Sequence, residues 1–298
     1  FSKEFSSVVT AASAMITPLI PPGISMILYG CIANVSIGDL FISGIGVGLL
    51  LCVSMMILVR FVSKKRGYAP MRTTRVSGSE FVRALKPAIL PLLLPVIIIG
   101  GIRIGVFTAT EAGAVAIVYA ILLGVVYREM HWKDMVQGFK ETVCTTSSIM
   151  LIVAAAGVFS WVLTKERIPQ QLTEWIVATI DNKYVFLLIV NIFLLIVGMF
   201  IEGNASMIIL VPLLHPIAQA YGINEIQFAM TYIFNNAIGA LSPPMGTLMF
   251  VTCGITGCKT GKFIKEAVPF YILLVINLLL ITYVPVFSTG ILSLLGGN

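Results

Sequence analysis

Pro21-Pro22-Gly23-Ile24-Ser25 and Pro243-Pro244-Met245-Gly246-Thr247 decide the fold, because a shift of 222 positions lays one stretch on the other. The register continues outward through Ile16 and Ile238, Leu19 and Leu241, Cys31 and Cys253, then Phe41-Ile42 and Phe263-Ile264. Consecutive prolines remove two backbone donors and push the preceding residue out of the helical region, so carbonyls one turn back lose their partners. Each stretch therefore predicts a helix broken in its middle, and the shared register predicts an internal repeat.

The surroundings of both breaks are apolar. Of 298 residues, 58% are hydrophobic and 11% charged, with a mean hydropathy of +1.01, well beyond the roughly 45–50% apolar content of soluble domains. Apolar blocks run over 40–62, 87–101, 106–127, 147–163, 185–201 and 270–286, most of them near the ~20 residues a helix needs to cross a bilayer. Ten-residue alternating segments of a membrane barrel are absent, so the expected class is an all-α polytopic membrane protein in contact with the lipid bilayer. The five cysteines form no CxxC pair and read as small packing residues. The chain opens at Phe1 without a Met or a full span before Pro21, which suggests missing N-terminal sequence.

Basic residues orient the spans, since short cytoplasmic loops collect positive charge. Tracing the chain from Lys3 on the inner face, and letting the segment after Lys183 dip in and out without crossing, leaves fifteen Lys and Arg inside and four (Arg103, Lys165, Arg167, Lys183) outside. In this trace the two breaks run in opposite directions, so the repeat is inverted, as in alternating-access carriers. Residues 63–80 form one long basic loop suited to anionic headgroups. Residues 131–146 and 168–181, with Trp132 and Trp175, read as interfacial helices.

The breaks carry the chemistry. Broken backbone at membrane depth is tolerated where it is buried in protein or lines a cavity. Ser13, Thr17, Gly23 and Ser25 surround the first break, and Asn235, Asn236, Gly239, Ser242, Gly246 and Thr247 the second. Freed carbonyls and hydroxyls suit a hard cation such as Na⁺, and the N-terminus of each following half-helix can face an anion. The other reading is a pair of packing kinks, which the matching positions weaken. Between Val185 and Leu214, two apolar arms flank the polar tip Ile201-Glu202-Gly203-Asn204-Ala205-Ser206. It reads either as a re-entrant hairpin, with Glu202 deep in the protein and the tip on the second break, or as an outer loop between short spans. Thr108 or Thr110 can cap the helix after the glycine-rich turn 100–107, and Arg103 can pair with Glu111. His215 reads as a hydrogen-bonded residue. No HExxH, nucleophile elbow, Walker A loop or His/Cys cluster is present, so neither an enzyme nor an ATP-driven pump is expected, and no nucleic acid is expected as a partner.

Thr17-Pro18-Leu19-Ile20-Pro21-Pro22-Gly23-Ile24, Gly100-Gly101-Ile102-Arg103 with Gly105 to Ala112, Gly198-Met199-Phe200 through Pro212, and Asn236-Ala237-Ile238-Gly239 through Pro243-Pro244 resemble, in order, motifs of the large membrane subunit of tripartite ATP-independent periplasmic (TRAP) transporters. The resemblance implies an elevator mechanism in a bacterial inner membrane, a small membrane subunit, a periplasmic substrate-binding protein and Na⁺-coupled import of an organic acid, either a sialic acid or a C4-dicarboxylate. It implies transport-domain parts over 1–36 and 183–262, scaffold and arm segments over 37–182, and a C-terminal scaffold span over 263–298. One Na⁺ is expected near carbonyls of Thr17, Ile20 and Pro22. A second is expected near Gly239, Ser242 and Pro244, their repeat counterparts, with Gly203 and Asn204 joining. Ser25, Thr247 and Glu202 are the expected substrate contacts. Gly239→Val should then remove Na⁺ dependence while leaving assembly intact. The competing readings are a channel, which would show repeated pore-lining segments, and a stand-alone Na⁺/organic-anion symporter, which would lack neighbouring genes for the two partners.

Overall fold

The computed structural model describes residues 1–69 and 77–294. The centre of the basic loop, including Arg72 and Arg75, lies outside the described residues. Thirteen α-helices and no strand are found among them, and seven helices are long and apolar enough to cross a membrane. Two compact units emerge. One comprises residues 1–68 and the chain from Ile152 onward, and the other runs from Ala69 to Leu151.

In the first unit the repeat is explicit. Helices α1 (Lys3–Ala14), α2 (Ile24–Ala33) and α3 (Ile37–Lys65) have counterparts in α10 (Glu225–Leu241), α11 (Thr247–Thr256) and α12 (Thr260–Tyr283). The 222-residue shift carries Lys3 to Glu225, Ile24 to Gly246 and Ile37 to Lys259, each within a residue of the counterpart's start. Orientation also emerges from contacts. Near the start of α1, Ser7 Oγ donates to Thr256 Oγ1 at the end of α11 at 3.0 Å, so the first half of one broken helix begins where the second half of the other finishes. Lys3, Arg66 and Lys262, expected on one face, gather at that end. Arg66 pairs with Glu266 at 2.7 Å and Lys262 with Glu4 at 3.6 Å.

Helix α3 packs on the first break through two glycines one turn apart. A Cβ at Gly44 would strike the Leu19 carbonyl, and one at Gly48 would lie 2.6 Å from Ile20 Cγ1. Small residues at this spacing let helices approach closely where lipid supplies no hydrophobic drive. The hairpin is α8 (Lys183–Phe200) and α9 (Gly203–Ala220). Its base is held by α7 (Ile168–Thr179), whose Ile180 carbonyl takes the Tyr221 hydroxyl at 2.6 Å. Helix α13 (Pro285–Leu294) packs beside α3, and the Ser43 hydroxyl donates to the Ser288 carbonyl.

The second unit holds α4 (Gly78–Arg103), α5 (Ala109–Val126) and the first part of α6 (Trp132–Lys165). Pro87, Pro91 and Pro95 lie inside α4. Pro91 cannot donate to the Pro87 carbonyl, and the Tyr127 hydroxyl takes that acceptor at 2.8 Å, the kind of replacement a proline-bearing membrane helix needs. Thr108 rather than Thr110 caps α5. A capping box forms in which Glu111 accepts the Thr108 N–H at 2.8 Å and Thr108 Oγ1 accepts the Glu111 N–H at 3.3 Å. The Glu111 carboxylate is thus engaged at the cap.

Two expectations are corrected. Residues 131–146 are not a separate helix, since α6 runs unbroken from Trp132 to Lys165. No proline interrupts it, and Thr142 and Ser148 donate back to the carbonyls four residues earlier at 2.8 and 2.9 Å, keeping polar hydroxyls satisfied inside a helix. Of the cysteines, Cys253 and Cys258 are packed inside, whereas Cys31 and Cys144 face outward.

Candidate functional site

Both Pro-Pro bonds, at 21–22 and 243–244, are cis. Around the first break the chain leaves α1 in short turns, with Leu19 and Ile20 N–H both donating to the Ile16 carbonyl at 3.0 Å. None of the hydrogen bonds among described residues ends on the carbonyls of Thr17 to Pro22, so those of Thr17, Ile20 and Pro22 are open. At the second break the Ser242 N–H spans the Ile238 and Gly239 carbonyls at 3.1 and 3.0 Å, and the Tyr271 hydroxyl takes that of Leu241 at 2.9 Å. The carbonyls of Ser242 and Pro244 remain open, while that of Gly239 already accepts one bond. Ser242 Oγ donates back to Ile238 at 2.8 Å.

The hairpin tip is sewn to α10 just ahead of this break. Asn236 Nδ2 donates to the Gly203 carbonyl at 3.0 Å, and Ser206 Oγ donates to Asn236 Oδ1 at 3.1 Å and to the Gly203 carbonyl at 2.9 Å. The Gly203 carbonyl is thereby occupied. The Met245 N–H, beyond the prolines, donates to the Met199 carbonyl at 3.3 Å. Below the tip the backbones touch, for a Cβ on Gly239 would stand 2.6 Å from the Gly198 carbonyl oxygen. Gly239→Val would push the hairpin off α10, so it is not the clean ion-site probe the sequence suggested. Deeper still, Asn235 Nδ2 donates to Asn191 Oδ1 at 2.8 Å and Asn191 Nδ2 to Thr282 Oγ1 at 3.0 Å, joining α10, α8 and α12.

A cavity of about 240 Å³ opens between the hairpin tip and the two breaks. Ser25, Gly203, Asn204 and Thr247 line it, along with Glu202, Asn236, Pro18 and Met245. Ser25 lies in the first turn of α2, Gly203 and Asn204 in that of α9, and Thr247 begins α11. Three helix N-termini thus meet at one small cavity whose remaining walls are largely apolar. Neither α2 nor α11 has a side-chain cap at its glycine N-cap, which leaves first-turn N–H groups as donors for an anion. Ser25 Oγ donates to Asn204 Oδ1 across the cavity at 3.5 Å, bringing the first break to the hairpin tip.

Ser25, Thr247 and Glu202, the expected substrate contacts, thus all line the cavity, whereas the carbonyl-bearing Thr17, Ile20, Pro22, Gly239, Ser242 and Pro244 do not. Glu202 is not deep in the protein. It is exposed at the mouth, where its carboxylate accepts the Ala205 N–H at 2.9 Å as the N-cap of α9. An acidic cap satisfies the start of α9 without needing a buried countercharge. Neither the Gly198–Gly239 contact nor the doubly bonded role of Asn236 follows from the residue pattern alone. Two glycines in apolar helices were the available signal for the first. Among the described residues no three His, Cys, Asp or Glu side chains cluster as for a transition metal.

An all-α membrane protein with opposed broken helices and a hairpin closing on a small cavity belongs structurally with the secondary carriers. The family model of the tripartite ATP-independent periplasmic transporter, DctM component, matches residues 1–287, and the chain belongs to that family. It is 40% identical over 289 residues to the sialic acid TRAP transporter large permease protein SiaM of Vibrio cholerae, covering 97% of this chain and 67% of the relative. It is 37% identical over 297 residues to the C4-dicarboxylate TRAP transporter large permease protein DctM of Pseudomonas aeruginosa, covering 99% and 69%. An isethionate TRAP transporter permease protein, DctMQ, of Oleidesulfovibrio alaskensis is 34% identical over 96% of this chain and 45% of its own length. The chain thus spans about two thirds of the first two relatives. It is a transporter permease of the inner membrane rather than an enzyme.

Proposed function

We propose that this chain forms the transporting part of a Na⁺-coupled importer of an organic acid, supplied by a periplasmic binding protein and assembled with a small membrane subunit. The observation that carries this reading is the convergence of three helix N-termini on the cavity between the two breaks. Their partial positive charges and free N–H groups suit a carboxylate. Open carbonyls at both breaks, outside the lining of the cavity, suit a hard cation such as Na⁺. Binding cation and acid to adjoining parts of one hairpin-closed assembly is how the gradient of one can drive the other. Relatives named for sialic acid and for C4-dicarboxylates carry the same chemistry, an organic anion, and the slight preference is for an acidic sugar. An elevator motion accounts for a site built entirely inside one compact unit.

Ser25→Ala with Thr247→Val removes two hydroxyl donors at the cavity while leaving both half-helices intact. Each lost hydrogen bond to a charged group costs about 1.5–3 kcal/mol, so the double variant should raise the apparent KM for the acid by at least about a hundredfold. Initial uptake rates in proteoliposomes, measured against acid concentration at saturating Na⁺, check this. An unchanged KM would place the acid elsewhere.

A further inference from the structure

One turn into α2 from Ser25, Tyr29 is fully buried, and its hydroxyl shares a hydrogen bond of 2.9 Å with Nδ1 of His215 on α9. The two rings meet edge to face at 5.8 Å, with Tyr232 of α10 beside Tyr29 at 6.0 Å. His215 is 5% exposed, and its Nε2 has no hydrogen-bond partner. Among the described residues, Tyr29 is therefore the histidine side chain's one polar tie. Residues 25 and 29 share a face of α2. Residues 204 and 215, eleven apart or about three turns, share a face of α9. The pair that meets at the cavity and the pair that meets in the core thus belong to the same helix–helix seam.

Helix α2 has ten residues and no side-chain N-cap, and a helix of that length takes its stability from packing rather than from itself. It follows the first break, whereas α9 belongs to the hairpin of the second repeat, and 186 positions separate the bonded residues. The Ser25–Asn204 contact at 3.5 Å is too long to fix the seam. We propose that the Tyr29–His215 hydrogen bond is the positioning element of the cavity, setting α2 against α9 so that Ser25 and Asn204 face one another. Without the Tyr29 hydroxyl the buried imidazole would have no partner on either nitrogen, and α2 would shift to let it find one. That the cavity takes an organic acid rests on the function proposed above, but the register itself does not.

The first test therefore needs no transport. Ser25→Cys with Asn204→Cys, in membranes carrying the complete transporter and compared with single-cysteine controls, should be joined rapidly by a short bis-thiosulfonate reagent. Adding Tyr29→Phe should slow this by about tenfold, and His215→Phe should do the same, whereas His215→Gln, whose side-chain carbonyl can accept from the tyrosine, should restore most of the rate. The second test is uptake of labelled N-acetylneuraminate and of succinate. With the native Ser25 and Asn204, Tyr29→Phe should raise KM about tenfold with the maximal rate within about twofold, and Tyr29→Phe with His215→Phe should be no worse than either alone. Cross-linking unchanged by Tyr29→Phe overturns the proposal, as does a maximal rate that falls with KM unmoved. Slowed cross-linking in a protein that takes up neither acid supports the positioning pair and counts against the proposed substrate class alone.

Discussion

Gly239→Ala is expected to lower the initial rate of acid uptake by about a hundredfold or more, the scale of loss a misplacement of about 1 Å can bring. The added methyl has nowhere to go, since its carbon would sit 2.6 Å from the Gly198 carbonyl oxygen and 2.7 Å from Gly198 Cα. Backbone cannot swing aside as a flexible side chain can, and overpacking of this kind costs about 1–3 kcal/mol. The hairpin arm α8 must then lift from α10 just below the tip, and the tip carries Gly203 and Asn204 to the cavity. Uptake in proteoliposomes, paired with size-exclusion chromatography of the purified complex, measures this. Uptake at the wild-type rate would mean that hairpin and break do not have to touch.

Asn236→Ala should be nearly as damaging, by a different route. Its amide donates to the Gly203 carbonyl and accepts from Ser206 Oγ. Cutting it back to a methyl removes both hydrogen bonds between the tip and α10, leaving the Ser206 hydroxyl and the Gly203 carbonyl with only each other. Each intramolecular hydrogen bond lost is worth about 0.5–1.5 kcal/mol. The tip is expected to open, raising the Na⁺ concentration for half-maximal uptake at least tenfold, on the scale of about 1.4 kcal/mol. Na⁺ titration of uptake at fixed acid concentration checks this. A normal Na⁺ response together with a weakened acid response would place the ion away from the hairpin tip.

The breaks and the repeat were legible because prolines act through covalent geometry. Two in a row stop a helix whatever surrounds them, and a 222-residue register is visible without knowing any contact. The cap of α5 was legible only as a choice between Thr108 and Thr110, because capping too depends on residues within one turn. What the sequence could not show depends on approach in space. Gly198 and Gly239 look like any glycine in an apolar helix until their backbones are found in contact. Tyr29 and His215 have no spacing that relates them. Glu202 was expected to be deep because two short apolar arms suggested a re-entrant tip, but an N-cap at that tip gives a carboxylate a local partner and lets it stay at the mouth. The long α6 was split by its change from charged to apolar composition, which marks where a helix enters lipid and carries no instruction to end it.

The most direct measurement is uptake of N-acetylneuraminate and succinate into proteoliposomes containing the whole complex, with the inward Na⁺ gradient and the periplasmic binding protein varied independently. Uptake of one acid that needs both the gradient and the binding protein is the predicted result. Undiminished uptake with the gradient abolished, or with the binding protein withheld, would contradict it.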